Sequence, residues 1–128
     1  MTRCLPQGRR KEFLAVNDCL FCKIIAGEIP SEKVYEDELC YAFHDISRMA
    51  PVHFLVIPKQ HYASAAEINE ENAALVGHIF TVIARLAKEM KLENGFRVVT
   101  NCGKDADQSV PHLHFHVLAG KKLGTAFD

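Results

Sequence analysis

An α+β fold is what the order of apolar patterns predicts: an antiparallel sheet with a helix on one face. Three observations carry this. A single long stripe at spacings of three and four (Leu75, Ile79, Ile83, Leu86 and Met90, widened by Val76, Phe80 and Ala87) marks one amphipathic helix of about six turns. Short β-prone runs lie on both sides of it, at 33–36, 39–44 and 52–57 before and at 96–100 and 112–118 after. The strands come in groups rather than alternating with helices, which argues against a doubly wound parallel sheet.

The elements follow in chain order. Residues 1–17 mix charge, Pro6 and Gly8 with little periodicity and read as a partly flexible extension, so the domain runs over 18–128. Asp18 can cap a short helix over Cys19 to Ala26, which Gly27 stops. Ile29-Pro30-Ser31 is a connector, because a residue before proline is pushed out of the helical region. Lys33 to Glu36 and Leu39 to His44 form two strands joined at Asp37-Glu38, and Asp45 opens a turn. Val52 to Ile57 is apolar nearly throughout and suits a central strand, ended by Pro58. Asn69 is placed to cap the long helix, with Glu70 and Glu71 in its first turn. His78 lies within that helix and receives no assignment. Asn94-Gly95 ends the helical region, Phe96 to Thr100 is a strand, and 101–108 is a polar loop of the kind that carries ligand contacts.

At 128 residues the chain is sized for one domain with a modest core. Fifteen basic residues against sixteen acidic ones give a formal charge of −1, which offers no bulk attraction to nucleic acid or to an anionic membrane. An anionic ligand must therefore be held by local geometry. No apolar run approaches the ~18 residues of a membrane span. Behind the basic Arg3, Arg9, Arg10 and Lys11, the apolar patch Phe13 to Val16 is shorter than the roughly 7 residues of a signal peptide's apolar region, so a cytoplasmic location is expected. Five cysteines with one close pair, Cys19-x-x-Cys22, do not make a disulfide framework; the pair suggests metal or redox chemistry.

The chemistry concentrates in His112-Leu113-His114-Phe115-His116-Val117-Leu118. Read as a strand, this places three imidazoles on one face, about 6.5 Å apart, and Leu113, Phe115 and Val117 on the other. A lone histidine is most often a residue satisfied by local hydrogen bonds. Three at period two leave two sharper readings. One is a metal site, since imidazole is a common zinc ligand. The other is nucleophilic catalysis by an imidazole attacking phosphorus.

Gln108-Ser109-Val110-Pro111 followed by this row resembles the signature of the histidine-triad (HIT) family. Phe43-His44-Asp45-Ile46-Ser47 and Ala50-Pro51-Val52-His53-Phe54-Leu55-Val56-Ile57-Pro58-Lys59 resemble its other landmarks, in matching order and separation. The resemblance covers roughly residues 18 to 120 and is nearest to the Hint branch. It implies a five-stranded antiparallel sheet with one long and one short helix, dimerising so that two sheets join. It also implies hydrolysis of the P–N bond of purine nucleoside phosphoramidates, with AMP or GMP as ligands. Carried over by position, His114 is the nucleophile that forms a nucleotidyl-imidazole. His116 contacts the phosphate and can be charged there. His53 supports the row from the adjacent strand, and Ser109 bonds the phosphate or the departing amine. His112 completes the triad. Asp45 and Ile46 hold the ribose and base, with Asn101, Asp107, Gln108, Ser109, His114, Phe115 and His116 completing the nucleotide contacts. On its own Asp45 reads as a turn aspartate. Cys19, Cys22, His61 and His112 match a structural zinc site of some members; no organic cofactor is implied.

Three departures stand out. Asp107 occupies a position that is usually glycine in the family, which puts a negative charge beside the expected phosphate. Pro111 replaces a residue that is often aromatic, and the tail lacks the Trp-Pro-Pro ending of animal members. Three other readings compete: a dinucleoside polyphosphate hydrolase of the same fold, a nucleotide-binding interaction module with little turnover, and a zinc hydrolase whose ligands are the triad. Only twelve residues follow His116, which counts against the first. The Asp45-Ile46 block counts against the last.

Overall fold

A computed structural model describes residues 18–126; the expected extension over 1–17 lies outside the described residues. The elements are α1 (Leu20–Ile25), β1 (Lys33–Glu36), β2 (Cys40–His44), β3 (Val52–Pro58), α2 (Ala73–Glu89), β4 (Arg97–Val99) and β5 (Phe115–Ala119), with 3₁₀ turns at Ala65–Glu67 and Lys104–Ala106. The five strands form one antiparallel sheet in the order β1-β2-β3-β5-β4. β3 is central and buried over six of its seven residues, as its apolar run predicts.

Strand alternation sorts the core into two clusters. Cys40, Ala42, Phe54, Val56, Leu113, Phe115 and Val117 meet Ile79, Val82, Ile83 and Leu86 of α2. Tyr41, Phe43, Leu55 and Ile57 face the other way, against Phe21, Cys22 and Ile24 of α1. The long helix therefore covers one face and the short helix the other. His53 and His116 lie on the α1 side by the same alternation.

Both helix starts differ from expectation. Cys19, not Asp18, is the cap of α1, and its Sγ accepts the Cys22 N–H at 3.3 Å. The long helix begins at Ala73 and runs 17 residues, nearer five turns than six. Asn69 and Asn72 clasp one another instead. The Asn69 side chain accepts the N–H groups of Glu71 and Asn72, and Asn72 Oδ1 accepts the N–H of Asn69 at 2.7 Å. Glu70 and Glu71 thus sit on this preceding turn, and the first turn of α2 carries no acid.

The β1–β2 turn is tied to α2 through Asp37. Its Oδ1 accepts the N–H groups of Leu39 and Cys40, and its Oδ2 accepts the Tyr35 hydroxyl and, at 2.7 Å, His78 Nε2–H. Burial pushes this carboxyl's pKa up, but the bonds from His78, Leu39, Cys40 and Tyr35 outweigh it and hold the group well below the usual range. Such a carboxylate stabilises the fold above its ordinary pKa, near 3.9, and the contribution is lost as pH falls below that. Asp37→Asn is expected to cost about 2 kcal/mol at pH 7 and progressively less as pH falls from about 4 toward the lowered folded value, measured by urea unfolding.

Candidate active site

The imidazole row enters the sheet ladder only at Phe115. Before that, the His112 N–H bonds the Val110 carbonyl at 2.8 Å and the Leu113 N–H bonds the Tyr62 carbonyl at 2.6 Å. Pro111 has no N–H to offer a ladder. The three rings still share the α1 side: Phe21 packs edge-on against His112 and His114 at 5.9 and 5.1 Å, and His114 meets His116 at 5.0 Å.

Neighbouring main-chain groups fix the tautomers. A backbone N–H can only donate, so His53 Nδ1, 3.1 Å from the Met49 N–H, accepts and its proton is on Nε2. That Nε2–H lies 2.9 Å from His116 Nδ1 and 3.4 Å from Asp45 Oδ2. His116 Nδ1 is then an acceptor, and His116 presents Nε2–H. A carbonyl can only accept, so His114 Nδ1, 2.7 Å from the His112 carbonyl, carries the proton. His114 Nε2 is left with its lone pair. The His114 residue is 2% exposed, yet Nε2 is not sealed: among the described residues, His44 Nδ1 is the only fully covered side-chain nitrogen or oxygen without a partner.

Burial lowers the pKa of His53, His114 and His116. For His116 the value falls to about 4, with the neighbouring His114 and His53 adding to the effect of burial. The charge expected on His116 is therefore absent from the unliganded chain at neutral pH and would need an anion beside it. The sign for stability follows. The unfolded chain takes up these protons near 6.5 and the folded chain lower, so stability is full above about pH 6.5 and falls as pH drops toward 4. Urea midpoints should decline across this window, and His116→Asn should flatten the decline.

Of the remaining expected residues, Asp45 reaches this row through His53. Asp45 Oδ1 accepts the Ser47 N–H at 2.7 Å, which aims Oδ2 at His53, and Ile46 is fully exposed beside it. Asn101 is half-buried and Ser109 exposed. Two residues behave differently. The Gln108 side chain is occupied in holding its own loop, donating to the Ala63 and Val110 carbonyls and accepting the Gly103 N–H. Phe115 points into the α2-side cluster, against Phe80, and its ring does not reach the imidazole face. Asp107 adopts φ +60°, ψ +46°, the left-handed conformation that glycine takes without strain.

Cys19, Cys22, His61 and His112 come together, with their donor atoms all within 4.8 Å of one another. The separations are 3.2 Å for His61 Nδ1 to His112 Nδ1, 3.3 Å for Cys19 Sγ to His112 Nδ1, 3.3 Å for Cys22 Sγ to His61 Nδ1 and 3.6 Å for Cys22 Sγ to His112 Nδ1. A tetrahedron with zinc–nitrogen and zinc–sulfur bonds of ordinary length has edges of about 3.3 and 3.5 Å for those atom pairs. His112 Nε2–H donates to the Pro58 carbonyl at 2.9 Å, which leaves the Nδ1 lone pair aimed at the cluster. The residues fit a structural zinc.

Two other groups are close enough to hold an ion among the described residues, and neither suits one. In Asp37–Cys40–His78 the carboxylate is saturated by donors, and burial pushes the Cys40 thiol up to about 12. In Asp45–His53–His116 the inward nitrogen of His53 carries a proton.

The sequence matches the family described as HIT domain over residues 26–123. The chain belongs to the HIT domain family. An uncharacterised HIT-like protein of Synechococcus elongatus is 47% identical over 106 residues, covering 83% of this chain and 93% of the relative. Among solved structures, a HIT family hydrolase from Clostridium thermocellum superposes with a TM-score of 0.82 at 46% identity, covering 85% of this chain and 96% of that one. A histidine triad nucleotide-binding protein from Candida albicans gives 0.76 at 38% identity, with 86% and 82% covered. The sheet order and two helices of this HIT domain match the architecture that the triad resemblance implies. No helix among the described residues is long and apolar enough to cross a membrane.

Two parts of the HIT site were not read from the sequence. The Met49 N–H is a main-chain donor, which no side-chain pattern reveals. Phe21 packs on two of the three imidazoles, and its only signal was an apolar residue between the two cysteines.

Proposed function

We propose that this HIT domain is a hydrolase of the Hint branch, cleaving the P–N bond of purine nucleoside phosphoramidates of the AMP–amine type. The observation that carries the reading is the tautomer of His114: the His112 carbonyl holds the proton on Nδ1 and leaves the lone pair on Nε2. That nitrogen attacks the α-phosphorus. As the phosphorus–imidazole bond forms, the P–N bond breaks and the amine takes a proton from His116, which the phosphate anion beside it holds in the charged, imidazolium form. Water, giving its proton back to His116, then cleaves the nucleotidyl-imidazole. The covalent intermediate divides one hard displacement into two easier ones. Asp45 accepts hydrogen bonds from the ribose hydroxyls, Ile46 packs on the base, and Asn101 and Ser109 contact the phosphate or the amine. The likeness to a HIT family hydrolase and to a histidine triad nucleotide-binding protein supports the class.

The same reading gives the protein one structural zinc on Cys19, Cys22, His61 and His112, and a cytoplasmic setting that keeps the thiols reduced. It also gives a homodimer. β4 is an edge strand of three residues, and Phe80 and Phe96 remain 45% and 42% exposed, features a second copy would cover. Analytical ultracentrifugation tests the dimer.

The test of the reaction is a panel of AMP and GMP phosphoramidates beside diadenosine polyphosphates, with mass spectrometry for an adduct on His114. Hydrolysis of the phosphoramidates with a trapped adduct supports the proposal. Preference for the polyphosphates, or AMP binding without turnover, overturns it. Asp107→Gly is expected to tighten AMP binding severalfold by calorimetry, since it removes a carboxylate beside the phosphate and a left-handed non-glycine residue.

A further inference from the structure

We propose that the cysteine–histidine metal centre also positions the nucleophile, with His112 as the positioning residue; this rests on reading His114 as the nucleophile. The link is one residue long. The His112 ring belongs to the four-donor cluster, while its carbonyl accepts His114 Nδ1–H at 2.7 Å and so decides which nitrogen of His114 keeps its lone pair. Nothing in the sheet ladder holds that carbonyl in place, because β5 starts at Phe115. Two ties do: one is the Leu113 N–H of the same peptide plane, which bonds the Tyr62 carbonyl, next to His61, at 2.6 Å, and the other is the His112 ring. It is fully buried, bonded through Nε2 to the Pro58 carbonyl and surrounded at Nδ1 by Cys19, Cys22 and His61.

Coordination would lock that ring from its second nitrogen and with it the main chain at 112. Without it, Cys19, Cys22 and His61 offer only weak or tautomer-dependent hydrogen bonds to Nδ1. The ring can then turn, the carbonyl shifts, and His114 is free to place its proton on Nε2, the form that cannot attack. A displacement on the order of 1 Å at a reacting group is enough to cost about a hundredfold in rate. The nucleotide-gripping residues Asp45 and Ile46 lie on a different loop and are not linked to the cluster, so binding and turnover should separate.

The experiment compares zinc-loaded protein with protein stripped by chelation and with protein reloaded. It follows the histidine nitrogens by long-range proton–nitrogen NMR, AMP affinity by calorimetry, and kcat on an AMP phosphoramidate. The expected result is that stripping converts His114 from a single Nδ1–H tautomer to a mixture and lowers kcat at least tenfold. AMP affinity should stay within threefold, and zinc should reverse both changes. An unchanged His114 pattern and kcat in folded, zinc-free protein would overturn the proposal.

A second measurement needs no metal-free fold. Coupling is reciprocal, so His114→Ala should weaken zinc binding at least threefold in chelator competition, while His116→Ala should not. Equal zinc affinity in wild type and both variants would also overturn it. The nitrogen pattern and zinc affinity do not depend on the substrate, so they decide this proposal even if the P–N reaction itself fails.

Discussion

Replacing His114 by alanine is expected to lower turnover of an AMP phosphoramidate by at least about 10⁴-fold while AMP affinity stays within about tenfold. The loss is large because no neighbour can take over. His116 presents Nε2–H rather than a lone pair, and its Nδ1 is occupied by His53 Nε2–H at 2.9 Å. His53 Nδ1 is occupied in turn by the Met49 N–H. The one imidazole lone pair that is both unpartnered and open in this row belongs to His114. Binding survives because the proposed ribose and base contacts, Asp45 and Ile46, belong to the loop after β2. The variant removes a buried ring packed on Phe21, so a thermal melt must accompany the assay. Turnover above about 1% of wild type in a folded variant, with contaminating enzyme excluded, would remove His114 from the nucleophile's role.

How far the sequence went depended on whether a side-chain pattern existed to read. Leu39 to His44 and Val52 to Ile57 were legible because both are short, β-prone apolar runs bounded by turn residues, and both are covered on their two faces. The stripe from Leu75 to Met90 gave the long helix but not its start. Asn69 and Asn72 are both cap-type residues three apart, and the sequence carries that signal twice. The imidazole row was legible by period. Its first member was not legible as a bend, since the carbonyls that receive the His112 and Leu113 N–H groups lie at Val110 and Tyr62. Four metal-type side chains could be matched to positions. The Pro58 carbonyl that sets the His112 tautomer is main chain and leaves no trace in residue type. The same holds for Met49. Gln108 shows the converse, a polar side chain read as a ligand contact whose bonds to Ala63, Val110 and Gly103 tie the loop together.

Removing the metal is expected to lower the thermal midpoint by about 15 °C. The estimate follows from linkage: a site held at about a thousand times its Kd stabilises the fold by roughly 4 kcal/mol, and each kcal/mol moves the midpoint of a domain this size by about 4 °C. The effect should be global rather than local. Cys19 caps α1 and Cys22 lies within it, His61 follows β3, and His112 precedes β5, so one ion would staple the short helix to two strands of the sheet. Cys19, Cys22 and Phe21 also belong to the α1-side cluster with Phe43, Leu55 and Ile57, and loosening α1 would open that face to water. Cys22→Ala should reproduce the chelator's effect and make the protein indifferent to it, because both act through the same ion. Elemental analysis of protein purified without added metal supplies the stoichiometry, and one zinc per chain is expected. A midpoint that chelation leaves unmoved, in protein that contained zinc beforehand, would reduce the cluster to two thiols and two imidazoles held by hydrogen bonds alone.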